Sequence, residues 1–351
     1  MELSPLQALD TVLRGHPQRR AIERSITTLL EIARNADEPD EWRLISGTLA
    51  DLRDGLGVFA PHRHTRKVAV FGSARTPTDD PAYLLAQDLA REAVARGFTV
   101  MTGAGGGIME AANSGAGCPN SIGLNVQLPF EQHANPFVNS CEGRLLHFRY
   151  FFTRKLFFLR ESDALVVLPG GFGTFDELFE SLTLIQTGRT PPIPLVMLAP
   201  SGDDFWPSWL EDIQAALVSR GLIAAEDTAL LKPARSAVEA MDLITGFYRV
   251  FHTSQFLEDV LELLLHCPLP AEVVAELNQR FDALVEEGSI SQGESTDSNG
   301  ILRPCLRFHL DKRRMGLLYL LIDELNALSL PGLEAVSEQP GQRVSTLPPS
   351  P

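Results

Sequence analysis

Lysine is scarce: only Lys67, Lys155, Lys232 and Lys312 occur in 351 residues, and the formal net charge is −15. Such an acidic chain is a poor general binder of nucleic acid, because phosphate backbones are held by clustered Lys and Arg. Bulk charge does not exclude one local pocket for a small phosphate. Cysteine is scarce as well, and Cys118, Cys141, Cys267 and Cys305 show no paired spacing. That pattern predicts a reducing, cytoplasmic setting and argues against both a disulfide framework and a zinc site. No apolar run reaches the ~18 residues that would suggest a membrane span. The amino terminus, "MELSPLQALDTVLRGHPQRR", lacks the basic start and apolar core of a secretory signal. At 44% hydrophobic, the chain can bury one large core or two smaller ones.

Four stretches of different pattern follow one another. Residues 1–65 read as a helical extension, with apolar residues three and four apart in "PQRRAIERSITTLLEIARNA" and "PDEWRLISGTLADLRDGLG", followed by a short polar linker. Residues 66–250 alternate short β-branched runs ("KVAVFGS", "FTVMTG", "SIGLNVQLP", "DALVVLPGG", "IPLVML") with helical segments. That alternation predicts parallel βαβ units and an α/β, doubly wound, Rossmann-like parallel sheet. Residues 251–335 read as an α+β extension. In it, "FLEDVLELLLHCPLPAEVVAELNQRFDALVEEG" suggests two helices split at the prolines, and "SISQGESTDSNGILRPCLRFHL" two strands around an Asn-Gly turn. Residues 336–351 read as a disordered tail.

Ligands of such sheets sit beyond the carboxyl ends of the strands. The turns at Gly72–Ser73, Gly103–Gly107 and Pro169–Thr174 all belong to that edge. In "TGAGGGIM", glycines let backbone N–H groups approach an anion at a helix start, although a plain tight turn explains them equally well. Ile108 stands where a dinucleotide fingerprint needs its third glycine, and no Gly-Lys-Ser/Thr follows, which disfavours nicotinamide and nucleoside-triphosphate sites. Gly170, Gly171 and Gly173 build a second such nest. Thr174 and Glu177 have the spacing of a helix capping box, or else Glu177 faces the anion held by the loop. Arg154 and Lys155 are adjacent cations in the mostly apolar "YFFTRKLFFLR". They either snorkel from a buried helix or present Arg154 as a planar fork to phosphate or ribose oxygens.

Taken together, "PGGFGTFDE" with "RK" 23 residues before its glutamate, "FGSARTP", "TGAGGGIMEAAN", "GLNVQLPFEQ" and "TLIQTG" resemble the LOG (LONELY GUY) family in its longer bacterial branch, over roughly residues 66–246. The resemblance implies release of the base from nucleoside 5′-monophosphates, AMP-like or cytokinin nucleotides, to give ribose 5-phosphate. It implies catalytic roles for Arg154 and Glu177. It implies substrate contacts from Ser73, Gly105, Gly106, Gly107, Glu131, Lys155, Gly170, Gly171, Gly173, Thr174 and Thr183. Neither metal nor cofactor is expected, and the resemblance together with the apolar helices implies a homodimer or larger homo-oligomer. Shorter plant-like members carry methionine and histidine before the arginine-lysine pair, where this chain has phenylalanine and threonine, which leaves the base preference open. The label lysine decarboxylase, once attached to the family, would require a Schiff-base lysine with pyridoxal phosphate. Lys155 alone lies near the glycine turns, with no evident partner for a pyridinium. A non-catalytic nucleotide sensor or carrier on the same fold is the rival reading.

Overall fold

A computed structural model describes residues 9, 11–126, 133–330, 333 and 340–343. The chain divides into two compact units, one up to Arg53 and one from Asp54. The first holds α1 (Arg19–Ile32) and most of α2 (Pro39–Phe59), which runs across the division. On α1 an exposed Arg19–Glu23 pair closes one turn at 2.8 Å.

The second unit is built on seven parallel strands. In chain order its elements are β1 (Lys67–Phe71), α3 (Pro81–Ala95), β2 (Thr99–Thr102), α4 (Ile108–Ala116), β3 (Ser121–Val126), α5 (Pro136–Asn139), β4 (Leu145–Phe148), α6 (Phe151–Glu161), β5 (Ala164–Val167), α7 (Phe172–Gln186), β6 (Leu195–Leu198), α8 (Phe205–Ile213), β7 (Leu231–Ala234) and α9 (Ala237–Phe247). The sheet order is β4-β3-β2-β1-β5-β6-β7, so connections run in opposite directions from β1, and the doubly wound, Rossmann-like α/β expectation holds. Val68, Val70, Val166 and Val196 are fully buried, as parallel strands covered on both faces require. Small side chains set the helix spacing. Ala82, Ala86, Ala90 and Ala93 of α3 are buried in the same core as Ala111 and Ala112 of α4. Asp80 starts α3 by accepting from the Ala82 N–H at 2.7 Å, with Pro81 in the first turn. Strands β4 and β7 were not legible from residue pattern.

A second, antiparallel sheet follows, built from β8 (Phe251–Leu257), β9 (Val260–Leu265), β10 (Val285–Thr296) and β11 (Leu302–Leu310) in the order β10-β11-β9-β8. Helices α10 (Ala271–Arg280) and α11 (Met315–Ala327) complete it. The expected hairpin around Asn299–Gly300 is present, with Gly300 at φ +80°. The first of the two helices expected across the prolines is instead the β8–β9 hairpin. Leu and Glu favour helix locally, but β9 pairs on both sides and buries Leu261, Leu263, Leu264 and Leu265. Glu262 is tolerated there because Gln255, Ser295 and Arg307 all donate to its carboxylate. Tyr319 of α11 ties this region to the parallel sheet, donating to the Ile193 carbonyl at 2.8 Å.

Two further expectations are corrected. Cys118 and Cys141 form a disulfide, with Cα atoms 5.5 Å apart, although their 23-residue separation carries no motif. Residues 340–343, expected in a disordered tail, are tied to the chain ahead of β1. The Arg66 N–H donates to the Gly341 carbonyl at 2.7 Å, and the Arg343 N–H to the His64 carbonyl at 2.8 Å. The Arg343 side chain grips Asp163 with two contacts of 2.8 Å. Among the described residues no helix is long and apolar enough to cross a membrane.

Candidate functional site

Where β1 and β5 lie side by side, the connections leave in opposite directions and a crevice opens beyond their carboxyl ends. Gly72–Ser73 follows β1, the Gly103–Gly107 turn follows β2, and Pro169–Thr174 follows β5. Ser73 binds the other two turns by its backbone. Its N–H donates to the Pro169 carbonyl at 3.1 Å, and its carbonyl accepts from the Ile108 N–H at 3.0 Å. The glycines divide accordingly. A side chain at Gly107, which has φ +60°, would strike Ser73 and Ala74. One at Gly170 would strike Thr174 and come within 2.9 Å of the Ser73 nitrogen. These two glycines permit the turns to close on one another. Gly171 and Gly173 face open space, where a ligand could approach the backbone.

Helix α7 begins at Phe172 with Gly171 as its N-cap, and no side chain caps it. The capping box that Thr174 and Glu177 could have formed is absent. Thr174 sits buried within the first turn, and the N–H groups of Phe172 and Gly173 point out of the helix start without a described acceptor. That is the arrangement that binds anions at helix amino termini. Phe172 is 96% exposed and buries nothing.

Glu177, one turn further on, is buried, and its carboxylate meets Arg154 of α6 at 3.3 Å between Oε1 and Nη2. Burial pushes the Glu177 carboxyl up from its ordinary value, while the Arg154 and Lys155 charges pull it back. Burial likewise draws the Arg154 guanidinium down, opposed by Glu177. Arg154 is braced by Phe151 and Phe158, whose ring centroids lie 5.2 and 5.7 Å from its guanidinium carbon. Its buried Nε has no hydrogen-bond partner among the described residues. Another of its nitrogens lies 3.6 Å from where a Gly103 side chain would begin, so the guanidinium spans the space between the β2 turn and α7.

The remaining anticipated residues separate. Lys155, about 100° around α6 from Arg154, turns to Asp176 at 2.8 Å and Glu180 at 2.6 Å. Those two hydrogen bonds raise its pKa although burial opposes them. Thr183 is exposed and returns its hydroxyl to the Phe179 carbonyl within α7. Ser73 Oγ accepts from the Arg75 N–H at 3.1 Å. Gly105 and Gly106 lie in the β2 turn, and Glu131 falls outside the described residues.

Sequence reasoning missed the polar network behind that turn. Thr102, Asn113 and Asn135 are buried together. Thr102 Oγ1 donates to Asn113 Oδ1 at 2.7 Å and accepts from the Ala104 N–H at 2.9 Å. The Asn135 amide donates to Asn113 Oδ1 at 2.9 Å and to the Gly105 carbonyl at 3.0 Å, while its own backbone N–H holds the Ala104 carbonyl at 2.8 Å. The network holds Ala104 at φ +59°, a strained conformation for a residue with a side chain. No motif in the sequence joins these three residues, which lie 11 and 22 residues apart.

Residues 97–244 match the family model described as "Possible lysine decarboxylase". A probable cytokinin riboside 5′-monophosphate phosphoribohydrolase of Oryza sativa is 32% identical over 166 residues, 46% of this chain and 75% of that protein. A cytokinin riboside 5′-monophosphate phosphoribohydrolase of Mycobacterium tuberculosis is 31% identical over 152 residues, covering 42% and 78%. The chain belongs to the LOG family. Another member, from Arabidopsis thaliana, is 26% identical over 188 residues, 52% of this LOG-family chain and 84% of its own length. Among solved structures, a molybdenum cofactor binding protein from Rippkaea orientalis aligns with TM-score 0.38 at 18% identity, over 52% of this chain and 96% of that one. The molybdenum cofactor carrier protein of Chlamydomonas reinhardtii aligns with TM-score 0.36 at 19% identity, over 50% and 94%.

Proposed function

We propose that this LOG-family chain hydrolyses the N-glycosidic bond of nucleoside 5′-monophosphates, AMP-like or cytokinin nucleotides, to free base and ribose 5-phosphate. The observation that carries the reading is the buried Arg154–Glu177 pair set beside the uncapped start of α7. The 5′-phosphate is received by the N–H groups of the Gly171–Thr174 loop and the Gly105–Gly107 turn. Binding energy remote from the reacting carbon thereby positions the ribose. As the bond from C1′ to the base nitrogen breaks, Glu177 stabilises the positive charge growing at C1′ and orients water. The hydroxyl of that water joins C1′, and its remaining proton balances the departing base. Arg154 anchors the nucleotide and favours the ionised Glu177 carboxylate against the effect of its burial. With one clear carboxylate at the site, this differs from the paired-carboxylate scheme of ordinary glycosidases.

The test is incubation of purified protein with nucleoside 5′-monophosphates, the matching nucleosides and one cytokinin nucleotide, with released base resolved by chromatography. Base release from monophosphates alone, abolished in Glu177→Ala, is the expected result. Binding of monophosphates without any release would replace hydrolysis by a sensor or carrier role.

A further inference from the structure

The crevice lies at the carboxyl edge of the parallel sheet, and a separate cavity of about 390 Å³ opens at the opposite, amino edge. Arg63 and His64 reach it from the segment leading into β1, and Arg160 and Glu161 from the end of α6 just ahead of β5. Ser298 and Asn299 come from the β10–β11 turn, and Arg343 from the docked segment near the carboxyl terminus. Leu56 and Phe59 give it an apolar wall. Its volume falls in the range of small-molecule sites.

The charges around this cavity do not balance. Glu161 is already met by Lys67 at 3.6 Å and by Arg160 at 3.5 Å. Asp163, behind the cavity, is shared by Arg343 at 2.8 Å and Arg66 at 3.5 Å. Among the residues that line the cavity, Arg63, Arg160 and Arg343 stand against the single carboxylate of Glu161, and Arg63 forms no ion pair among the described residues. This surplus is local, in a chain whose net charge is −15. An anion entering the cavity would offset the mutual repulsion of these guanidinium groups. Guanidinium forks match the geometry of phosphate oxygens, and the Ser298 hydroxyl and Asn299 amide add neutral donors.

We propose that this amino-edge cavity binds a small organic phosphate, gripped by Arg63 and Arg160 with its carbon skeleton against Leu56 and Phe59. The cavity is too small for a polymer, and the site is distinct from the crevice that holds Arg154 and Glu177. The proposal does not depend on the hydrolase reading, because its test uses binding and not turnover.

The experiment is calorimetric titration of the full-length protein with inorganic pyrophosphate, in an Arg154→Ala background that weakens the crevice. Saturable binding of one pyrophosphate per chain is expected, weakened about tenfold or more by adding Arg63→Glu, as loss of one charge-assisted hydrogen bond implies. Arg160→Glu, on the exposed side of α6, is expected to act in the same direction. Both positions are exposed, so a circular dichroism spectrum matching the parent is expected of each variant. Absence of saturable binding at millimolar pyrophosphate, or an affinity indifferent to both charge reversals, would overturn the proposal.

Discussion

Arg154 and Glu177 come from successive helices, 23 residues apart, and meet at 3.3 Å in a place where neither is well solvated. Burial raises the carboxyl and the guanidinium lowers it, and burial is the larger effect. A raised folded pKa means that the fold favours the protonated acid. Stability from this group is present below its unfolded value and drains away as pH rises through the folded one. The proposed reaction needs the ionised form, so the acid limb of kcat is expected to have its midpoint above the ordinary carboxylate value of 4.5. NMR titration of Glu177 in Arg154→Ala should place its pKa higher still. A pKa unchanged by that substitution would contradict the pairing.

Replacing the carboxylate by its neutral isostere tests its electrostatic role. Glu177→Gln is expected to lower kcat by about a hundredfold to a thousandfold, the usual scale for losing one preorganised charge at a transition state. KM for the monophosphate should change far less, because the turns proposed to hold the phosphate are untouched.

The glycines of the β5 turn should separate into two kinds. Gly170→Ala places a methyl group against Thr174 and Ser73, and overpacking of this sort costs about 1–3 kcal/mol. Gly171→Ala meets nothing, and its φ of −94° suits alanine, so stability should stay within about 0.5 kcal/mol. Because the new methyl group enters the open space proposed to receive the phosphate, KM should rise severalfold nonetheless. Thermal melts and Michaelis curves on the two variants would read both effects.

Asn135 joins the strained Ala104 turn to Asn113. Removing its amide leaves the Gly105 carbonyl without that donor, and Asn135→Ala should cost about 1–3 kcal/mol. A loosened turn should raise KM for monophosphates more than it lowers kcat. Equal melting temperatures for variant and parent would show that the network carries no load.

Arg343 reaches Asp163 across 180 residues with two hydrogen bonds of 2.8 Å. Arg343→Ala leaves Asp163 with Arg66 at 3.5 Å and the Lys67 backbone N–H at 2.9 Å, so the carboxylate is only partly compensated. A loss of roughly 2–3 kcal/mol is expected, below the figure for a fully buried pair because Arg343 is part exposed. Chemical denaturation would measure it.

Much of the site was legible because its chemistry is local. Glycines that bring backbone N–H groups toward an anion must be contiguous, and Glu177 is one helical turn beyond them. The capping-box spacing of Thr174 and Glu177 was equally legible, but the helix begins at Phe172, which puts Thr174 inside the first turn, and the Glu177 carboxylate meets Arg154 instead. The segment 256–265 was misread for a related reason. Its Leu and Glu residues favour helix in isolation, and only pairing with β11 and the partners of Glu262 make a strand the better solution.

Alternating short runs and glycine turns, read from the sequence alone, determined a parallel α/β sheet and placed the glycine turns at the carboxyl ends of its strands. These depend on periodicity and backbone freedom within a few residues. Tertiary structure alone decided that Lys155 turns to Asp176 and Glu180, that Thr102, Asn113 and Asn135 brace the β2 turn, that Cys118 meets Cys141, and that Arg343 returns to Asp163 beside a basic cavity. Contacts between distant segments depend on which buried charge or donor lacks a partner once the chain has closed, and no local pattern encodes that.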